Sequence, residues 1–458
     1  MPDNIHIRDV STSQSSTGAN RVLPARTFQP YVQTLATLFR DAAARRTVEN
    51  HTDLTAALDG QPGRELRKLY SPDSLRSTGT FFTGSMLASR LVDSAKGVIT
   101  TAAQVIDPAC GAGDLLVACA RHFPLRSTLV DTLKDWGTRL VGFDINSAFV
   151  EATRYRLALL ALQRTGKATE GLSTTSPPLA ALFPKIRRRS GLQDWHLQAG
   201  VPLVVVNPPF AYGKAPKGNT WASGRVSQAA SFVAKCIESV ANGTRVLANL
   251  PDVLRTGSRY ERWRQMVAKK TIVRSVKIAG QFDALTDISV FLLELEVAMP
   301  ERTRISWARP IRSRVTRRTV GNFFDVRVGP VVPFRLDGKG PWFPYAHSDE
   351  LPPWETVRSL HQSVRFTGTT YKPPFVLIRR TSKPEYHVRC IGTLVTGAKP
   401  IAVENHLLLA IPRDKRVRTC KKLLKVLRQT SSSKWMNKRI RCRHLTVSSV
   451  RDLPWLRG

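Results

Sequence analysis

The tetrapeptide Asn207-Pro208-Pro209-Phe210 contains the residue types in this 458-residue chain that most directly point to chemistry. It follows an apolar run, and two consecutive prolines can continue neither a strand nor a helix. The prolines also fix two φ angles and remove two N–H donors, so the carbonyls of Asn207 and Pro208 face outward with little local competition. Amide and carbonyl oxygens accept the protons of an amino group, and an aromatic ring such as Phe210 stacks on a planar ring. The tetrapeptide predicts a pocket for a planar base with an exocyclic NH2 group, and a rigid surface turn is the alternative.

An amine held in such a pocket is suited to methylation. Its nitrogen is a poor nucleophile because the lone pair is delocalised into the ring. Acceptors that hold both N–H groups favour a tetrahedral nitrogen whose lone pair points at a methyl sulfonium. Holding the reactants in line lowers the barrier by roughly 7–11 kcal/mol. The proton can leave after methylation, so no strong base is required. Asn207, Pro208, Pro209 and Phe210 are therefore the predicted catalytic residues.

A second candidate site lies in the stretch 105–116, which reads VIDPACGAGDLL. The pattern predicts a strand, a turn with two glycines and a helix that begins near Asp114. Gly111 and Gly113 allow a nucleotide-like ligand to approach the backbone, and free N–H groups at the helix start can face its carboxylate. The third glycine of the dinucleotide fingerprint is missing, and Asp107 precedes the turn. A carboxylate here suits a ligand with ammonium and sulfonium groups, although a purely structural turn remains the alternative.

Asp144 ends the next apolar run, 31 residues after Gly113. A carboxylate at the end of a second strand can accept hydrogen bonds from ribose hydroxyls. Asp144 could instead cap the helix that begins near Ser147.

The elements that must position these residues alternate between short apolar runs and amphipathic patterns from residue 103 to 300. This repetition predicts an α/β fold, a Rossmann-like doubly wound and mostly parallel sheet with helices on both faces. Ligands of such sheets bind at the carboxyl ends of the strands. The predicted strands are Ala103–Ile106, Arg139–Phe143, Val201–Val206, Thr244–Asn249, Ile272–Ile278 and Ile288–Val297. Helices are predicted to begin near Asp114, Ser147, Ser227 and Ser258, after a helix-like run from Ser85 to Lys96.

Composition divides the chain into three predicted segments. Residues 1–74 form an N-terminal part, flexible over the first 30 residues and helical from 31 to 70, and 75–300 form the cofactor-binding catalytic domain. After Pro300 the helical patterns fade and β-type segments occur at Phe375–Arg379 and His406–Ile411, with a helix at Lys421–Arg428. A mixed α+β domain is therefore predicted for residues 301–458.

The charge of the chain indicates a polyanionic partner. The 70 Lys+Arg residues exceed the 34 Asp+Glu residues by 36, and such an excess favours nucleic acid. Residues 301–458 contain 33 Lys+Arg against 10 Asp+Glu, a net charge of +23. The densest clusters are 185–189, 312–318 and 413–443. Each could also be a solvated surface, and the bases read by residues 301–458 are not assigned.

Neither a zinc site, nor a disulfide framework, nor a membrane span is predicted. The six cysteines form no Cys-x-x-Cys pair, which favours reduced thiols in a cytosol. No apolar signal core is present at the N-terminus, and no apolar run approaches the roughly 18 residues that span a bilayer. We expect a cytoplasmic protein, associated with a prokaryotic nucleoid.

Together these residues resemble the S-adenosylmethionine-dependent amino-methyltransferases that modify DNA adenine, in the arrangement with the cofactor region first and target recognition last. Asn207–Phe210 matches the family's catalytic tetrapeptide without departure. Residues 107–114 resemble its first cofactor motif, which implies that Asp107 faces the methionine ammonium and that Gly111 and Gly113 line the turn. Ala109 and Asp114 are further cofactor-binding positions by this resemblance.

The resemblance implies roles for three more residues. Asp144 resembles the ribose-binding acid. Gly79–Gly84 resembles the segment that covers the methionine part of the cofactor, with Thr83 as the hydrogen-bonding residue and Gly84 where a proline is usual. Asp194, 13 residues before Asn207, resembles the acid that contacts the cofactor's adenine amine, although it lacks the family's Gly-Asp pair and could be a loop cap.

Further along, 246–251 with 255–262 resembles the family's later strand and helix, and 445–447 with Leu453-Pro454 resembles the closing segment of target-recognition regions. Trp221 and Arg225, after the catalytic loop, could contact a displaced strand or pack within a loop.

The resemblance implies a site-specific adenine-N6 methyltransferase that flips its base out of double-stranded DNA. It is expected to be the modification component of a restriction–modification system, with a separately encoded restriction endonuclease as a possible partner. Three alternatives stay open: an RNA adenine methyltransferase, a protein-glutamine methyltransferase, and a non-catalytic DNA-binding protein with a degenerate methyltransferase core. Cytosine methylation is disfavoured, because that chemistry usually accompanies serine in place of Asn207.

Overall fold

The structure is a computed structural model that describes residues 23–44, 52–166, 178–195, 203–283, 288–299, 307 and 318–455. The predicted flexible start therefore falls outside the described residues up to position 22, and so does the basic cluster at 312–317. No helix in the described ranges is both long and apolar enough to cross a membrane.

The described chain contains helices and strands throughout. The helices are α1 Ala25–Ala44, α2 Thr52–Leu58, α3 Gln61–Leu69, α4 Pro72–Thr78, α5 Ser85–Val92, α6 Lys96–Thr101, α7 Asp114–Ala120, α8 Leu129–Arg139, α9 Ser147–Thr165, α10 Leu179–Leu182, α11 Gln228–Ser239, α12 Asp252–Thr256, α13 Glu261–Lys270, α14 Val320–Phe323, α15 Val417–Arg428, α16 Thr430–Arg439 and α17 Val447–Arg451. The strands are β1 Val105–Asp107, β2 Leu140–Asp144, β3 Ile186–Arg188, β4 Leu203–Val206, β5 Tyr212–Lys214, β6 Arg225–Ser227, β7 Arg245–Pro251, β8 Thr271–Gln281, β9 Ser289–Val297, β10 Phe324–Val328, β11 Trp342–Ala346, β12 Thr356–Val357, β13 Ser363–Arg365, β14 Phe375–Arg379, β15 Gly392–Val395, β16 Ala402–Val403 and β17 Leu407–Pro412.

The main sheet has seven strands in the order β3-β2-β1-β4-β7-β9-β8. Neighbouring strands from β3 to β7 pair in parallel. Strand β9 runs antiparallel to both of its neighbours. The carboxyl ends of β1, β2, β4 and β7 consequently meet at one edge, where ligands of such sheets bind. The predicted doubly wound, mostly parallel sheet is confirmed.

Two apolar cores cover the two faces of this sheet. In β4, Leu203 and Val205 belong to the core that also contains Phe28 from α1, whereas Val204 and Val206 belong to the core that contains Trp263 from α13. All four side chains of β4 are fully buried. A strand buried on both faces reads as a continuous apolar run, which explains the sequence preceding the catalytic tetrapeptide.

The N-terminal helices are part of the first core, since Phe28, Leu54 and Leu66 are buried in it. Helix α1 begins at Ala25, so the expectation of flexibility up to residue 30 is wrong for its last residues. Helices α4 and α8 were not predicted. The domain boundaries at 74/75 and 300/301 stay predictions.

The region after residue 318 contains a five-stranded sheet in the order β10-β17-β14-β15-β12 and a three-stranded sheet in the order β13-β11-β16. Residues of α15, α16 and α17 pack on one face of the larger sheet. Strand β14 has the predicted bounds and β17 is shifted by one residue. Helix α15 begins four residues before its predicted start. The mixed α+β character predicted for this region is confirmed.

The two regions touch at α12. The carboxylate of Asp252 accepts a hydrogen bond of 3.1 Å from the backbone N–H of Arg441 and forms a buried ion pair with Arg255, its Oδ1 lying 2.7 Å from Nε. Helix α12 directly follows β7, so this contact ties the C-terminal region to the carboxyl edge of the main sheet.

Candidate cofactor and amine-binding site

A cavity of about 900 Å³ opens at the carboxyl edge of the main sheet. It is called the edge cavity below. Its lining residues come from within the segments 77–82, 108–111, 144–149, 189–192 and 207–214, together with Leu23, Arg225, Gln228 and Phe232. The sequence-predicted cofactor turn and catalytic tetrapeptide therefore contribute to one cavity.

The turn between β1 and α7 is held by its own hydrogen bonds. The Ala109 N–H donates to the Asp107 carboxylate at 3.0 Å, and the Gly111 N–H donates to Oδ2 of Asp144 at 3.0 Å. The Cys110 N–H donates to the carbonyl of Phe143 and the Gly113 N–H to that of Cys110. These four N–H groups already have acceptors, so the expectation that free amides of this turn face a ligand carboxylate is wrong for them.

Asp144 lines the edge cavity, and its carboxylate also fixes the turn. Its Oδ1 accepts a second hydrogen bond, from the Asn146 N–H at 2.8 Å. The cap of α9 is Asn146, whose Oδ1 accepts from the Ala148 N–H. The alternative in which Asp144 caps this helix is therefore wrong. Burial raises the pKa of Asp144 to about 6, against backbone hydrogen bonds that lower it.

Asp107 is buried beneath the turn and is absent from the cavity lining. Burial raises its pKa well above the usual value, opposed by the Ala109 hydrogen bond, and the nearby charges of Asp144 and Asp114 raise it further. A cation at this end of the cavity lowers the free energy of both buried carboxylates. The acidic cluster therefore suits a positively charged ligand, although Asp107 would act through space rather than by contact.

Asp114 points away from the edge cavity. Its Oδ1 lies 2.8 Å from Nη1 of Arg156, and this ion pair is almost fully buried. Its Oδ2 accepts from the Gly84 N–H at 2.7 Å. Arg156 also donates to the carbonyls of Ala57 and Ala112. Asp114 thus joins the cofactor turn to the 79–84 segment, and it makes no contact with the cavity space.

The cavity wall fits a nucleoside-like group at the turn. Gly111 lines the cavity with a φ of +53°, and a Cβ there would lie 2.8 Å from the Phe82 ring. Two apolar side chains that line the cavity, Ile145 and Leu192, are 45% and 39% exposed. Uncovered apolar groups of this size at a cavity suit a flat ring. No sequence pattern singled out either residue.

Asn207 follows the carboxyl end of β4 and lines the edge cavity. Its Nδ2 donates to the carbonyl oxygen of Phe81 at 2.8 Å, and its Oδ1 accepts from Nδ2 of Asn249 at 3.0 Å. The amide is thus held from two sides. An sp² oxygen has two lone pairs, so Oδ1 retains acceptor capacity for a further donor.

The other residues of the tetrapeptide are placed differently. Pro209 lines the cavity, whereas Pro208 is buried and is not part of the lining. The Phe210 ring packs against Phe81 and Phe282, with centroids 6.1 and 5.6 Å away. Phe210 lies beside the cavity and outside its lining, so stacking on a bound ring stays a prediction.

Two predicted cofactor residues do not reach the cavity. Thr83 is buried and absent from the lining. The Asp194 side chain is 89% exposed and pairs with Lys235 of α11, with Oδ1 to Nζ at 2.6 Å. Within the same loop the structure instead brings Arg189, Ser190 and Leu192 to the cavity. An acid counted back from the tetrapeptide was therefore the wrong residue to choose as a cavity contact.

The polar stretch after the tetrapeptide forms a hairpin of β5 and β6. Trp221, in the turn of this hairpin, is buried in the second core, so the packing alternative is correct. Arg225 lines the cavity and donates to the Tyr212 carbonyl. The basic cluster at 185–189 includes edge strand β3, and of that cluster only Arg189 lines the cavity.

The doubly wound sheet, the acid-glycine turn after β1 and the Asn-Pro-Pro-Phe loop after β4 define the amino-methyltransferase class of protein. Residues 66–304 match the sequence model of the N-6 DNA Methylase family. Because this match covers more than half of the chain, the chain belongs to the N-6 DNA methylase family. The predicted family is confirmed.

Solved structures give broader and weaker matches. A modification subunit of a putative type I restriction enzyme from Vibrio vulnificus YJ016 is 18% identical over 55% of this chain and 51% of its own, with a TM-score of 0.39. A putative class I S-adenosylmethionine-dependent methyltransferase from Listeria monocytogenes is 15% identical over 53% and 71%, with a TM-score of 0.34. The type IIG restriction endonuclease BpuSI is 12% identical over 94% and 70%, with a TM-score of 0.42.

This chain thus spans about half the length of the Vibrio subunit. No curated protein sequence matches it significantly.

Proposed function

We propose that this protein transfers the methyl group of S-adenosylmethionine to the N6 amine of an adenine flipped out of double-stranded DNA. The observation that carries this proposal is the placement of the Asn207 amide. It is fixed between Phe81 and Asn249 in the same cavity that the acid-glycine turn lines.

S-adenosylmethionine, when bound, supplies an electrophilic methyl group on a sulfonium. The chain's own residues would hold it at the turn: Gly111 by close backbone approach, and Asp144 by accepting from ribose hydroxyls. Ile145 and Leu192 would contact its flat ring. The buried carboxylates of Asp107 and Asp144 would favour its positive charge over a neutral analogue.

The amine would be held by two oxygens of the catalytic loop. Oδ1 of Asn207 accepts one proton and the carbonyl of Pro208 accepts the other. Fixed acceptors of this kind need no reorganisation during the reaction, which is why their placement matters more than their number.

The C-terminal region would hold the DNA backbone. The exposed face of α15 carries Arg418, Lys421, Lys422, Lys425 and Arg428, and the opposite face packs into the core through residues such as Leu423 and Leu427. Like charges four residues apart on a helix repel each other. Phosphates relieve that repulsion and release counterions.

We further propose that the protein is the modification component of a restriction–modification system in the cytoplasm of a prokaryote, with a separately encoded endonuclease as its partner. Membership of the N-6 DNA methylase family supports this role.

The test is methyl transfer from tritiated S-adenosylmethionine to genomic DNA, to RNA and to total protein in parallel, followed by mapping of the modified DNA adenines. Label in DNA that is lost in Asn207→Ala supports the proposal. A matched control is Asn322→Ala, which removes the capping box of α14, outside the cavity lining. Label in RNA or in protein alone would select one of the alternative substrates. Failure to bind S-adenosylmethionine in calorimetry would indicate a non-catalytic DNA-binding protein.

A further inference from the structure

Asn249 is a fully buried asparagine in the middle of the main sheet. It lies in β7, between two strands whose facing residues are apolar, and it pairs with Leu292 of β9. On the other side, Val206 of β4 is in register with Ala248. One residue further along both strands, the side chains of Asn207 and Asn249 meet in a hydrogen bond of 3.0 Å.

This residue disfavours folding on its own account. Oδ1 of Asn249 is buried and has no hydrogen-bond partner among the described residues. A buried acceptor without a partner costs free energy, and an apolar residue of similar size would avoid that cost. The contact between its Nδ2 and Asn207 is therefore what an asparagine provides at this position.

The two partners of Asn207 act as a pair. The Phe81 carbonyl can only accept, so it selects the Nδ2 end of the Asn207 amide. The Asn249 Nδ2 can only donate, so it selects the Oδ1 end. A rotation of the Asn207 amide by 180° would break both hydrogen bonds and present an NH2 group to the incoming amine.

We propose that Asn249 is a positioning residue that fixes the Asn207 amide so that its oxygen faces the amine to be methylated. This inference rests on the proposed function, because it assigns the orientation of a group that acts only if an amine binds there. Asn249 itself is fully buried, so it acts through Asn207 and touches no substrate.

The test compares Asn249→Leu and Asn249→Asp with wild type in single-turnover methyl transfer at saturating S-adenosylmethionine, with cofactor Kd and melting temperature measured alongside. Asn249→Leu removes the donor at similar volume, and we expect a rate loss of about 100-fold with an unchanged cofactor Kd. The carboxyl group that Asn249→Asp introduces can donate to Asn207 only when it is protonated. The rate of this variant relative to wild type should therefore rise as the pH falls.

A matched control is Thr244→Val, which removes a buried hydroxyl that lacks a partner among the described residues, directly before the same strand. It should keep the wild-type rate. A full rate in Asn249→Leu would overturn the inference. So would an Asn249→Asp profile parallel to that of wild type, or a rate loss that only accompanies lost cofactor binding and a lower melting temperature. If wild type itself transfers no methyl group to DNA, the proposed function fails instead, which distinguishes the two outcomes.

Discussion

The carbonyl oxygen of Gly79 accepts a hydrogen bond of 3.0 Å from the backbone N–H of Phe210. Gly79 has a φ of +67°, and a Cβ on it would lie 2.1 Å from the backbone nitrogen of Ala211. With the bond from Asn207 to Phe81, whose positions are 126 apart in sequence, two hydrogen bonds join the catalytic loop to the segment before α5. Two distant stretches of the chain thus form one wall of the edge cavity.

Gly79→Ala should separate these two segments. The added methyl group has no space, so the catalytic loop or the 79–84 segment must move, and we expect methyl transfer to fall by about 100-fold. Gly166→Ala is the control, because Gly166 also has a positive φ of +63° but nothing within 4 Å of its Cβ position. It carries the backbone strain of about 1–2 kcal/mol without the clash. Equal rates in the two variants would refute the close contact as the cause.

Arg156→Met should destabilise the fold far more than the loss of an exposed ion pair. The change leaves Asp114 as a buried carboxylate without its cation, and we expect a loss of about 3–5 kcal/mol in the free energy of unfolding. Arg76→Met breaks a pair in which both side chains are exposed, which should cost less than about 1 kcal/mol. Denaturant titration of both variants measures the difference, and similar losses would contradict the role of the buried pair.

Cofactor affinity should depend on the ionisation of Asp144, whose pKa burial raises to about 6. The ionised carboxylate accepts hydrogen bonds and attracts a cation. Since protonation on lowering the pH removes both effects, Kd should rise by up to roughly tenfold per pH unit below the pKa. Protonated aspartic acid resembles asparagine, so the Kd curves of wild type and Asp144→Asn should converge at low pH.

Calorimetric titration with S-adenosylmethionine from about pH 5 to about pH 8, a range that brackets that pKa, checks this. Any contribution of Asp107, whose pKa burial also raises, is common to both proteins. A gap between the two curves that stays constant with pH would rule out Asp144 as the titrating group.

Replacing Lys421, Lys422 and Lys425 by glutamine should weaken DNA binding and its salt dependence together. Each lost phosphate contact lowers the slope of log K against log salt by about 0.9, so three contacts lower it by roughly 3. Fluorescence anisotropy with duplex DNA at several salt concentrations measures the slope.

The control removes the same charge elsewhere, at the exposed residues Lys96, Lys134 and Lys269. This triple variant should keep the wild-type slope. Equal effects of the two triple variants would mean that net charge, and not the face of α15, determines binding.

Local sequence patterns predicted much of the catalytic sheet. The strand preceding Asn207 was recognisable because β4 is buried on both faces, which leaves an uninterrupted apolar run. The acid-glycine turn was recognisable because a tight turn between a strand and a helix needs a positive φ, as at Gly113. Such signals lie within a few residues of one another, so one sequence is enough to detect them.

Side-chain direction was less predictable than side-chain position. Asp114 opens α7 as expected, but its carboxylate turns to Arg156, 42 residues later. Asp194 lies in the expected loop, yet it pairs with Lys235 at the surface. In both cases the partner that decides the direction comes from another helix, and no local pattern identifies it.

Hydrophobic periodicity and residues that force a turn were enough to establish the family, the doubly wound sheet and the loop that carries Asn207, because these signals are local in the chain. The orientation of the Asn207 amide depends instead on three-dimensional packing. It needs a carbonyl from position 81 and an amide from position 249. The parallel register of β4 and β7 and the packing of the 79–84 segment bring both groups to the same few ångströms of space, and no stretch of sequence around residue 207 encodes that meeting.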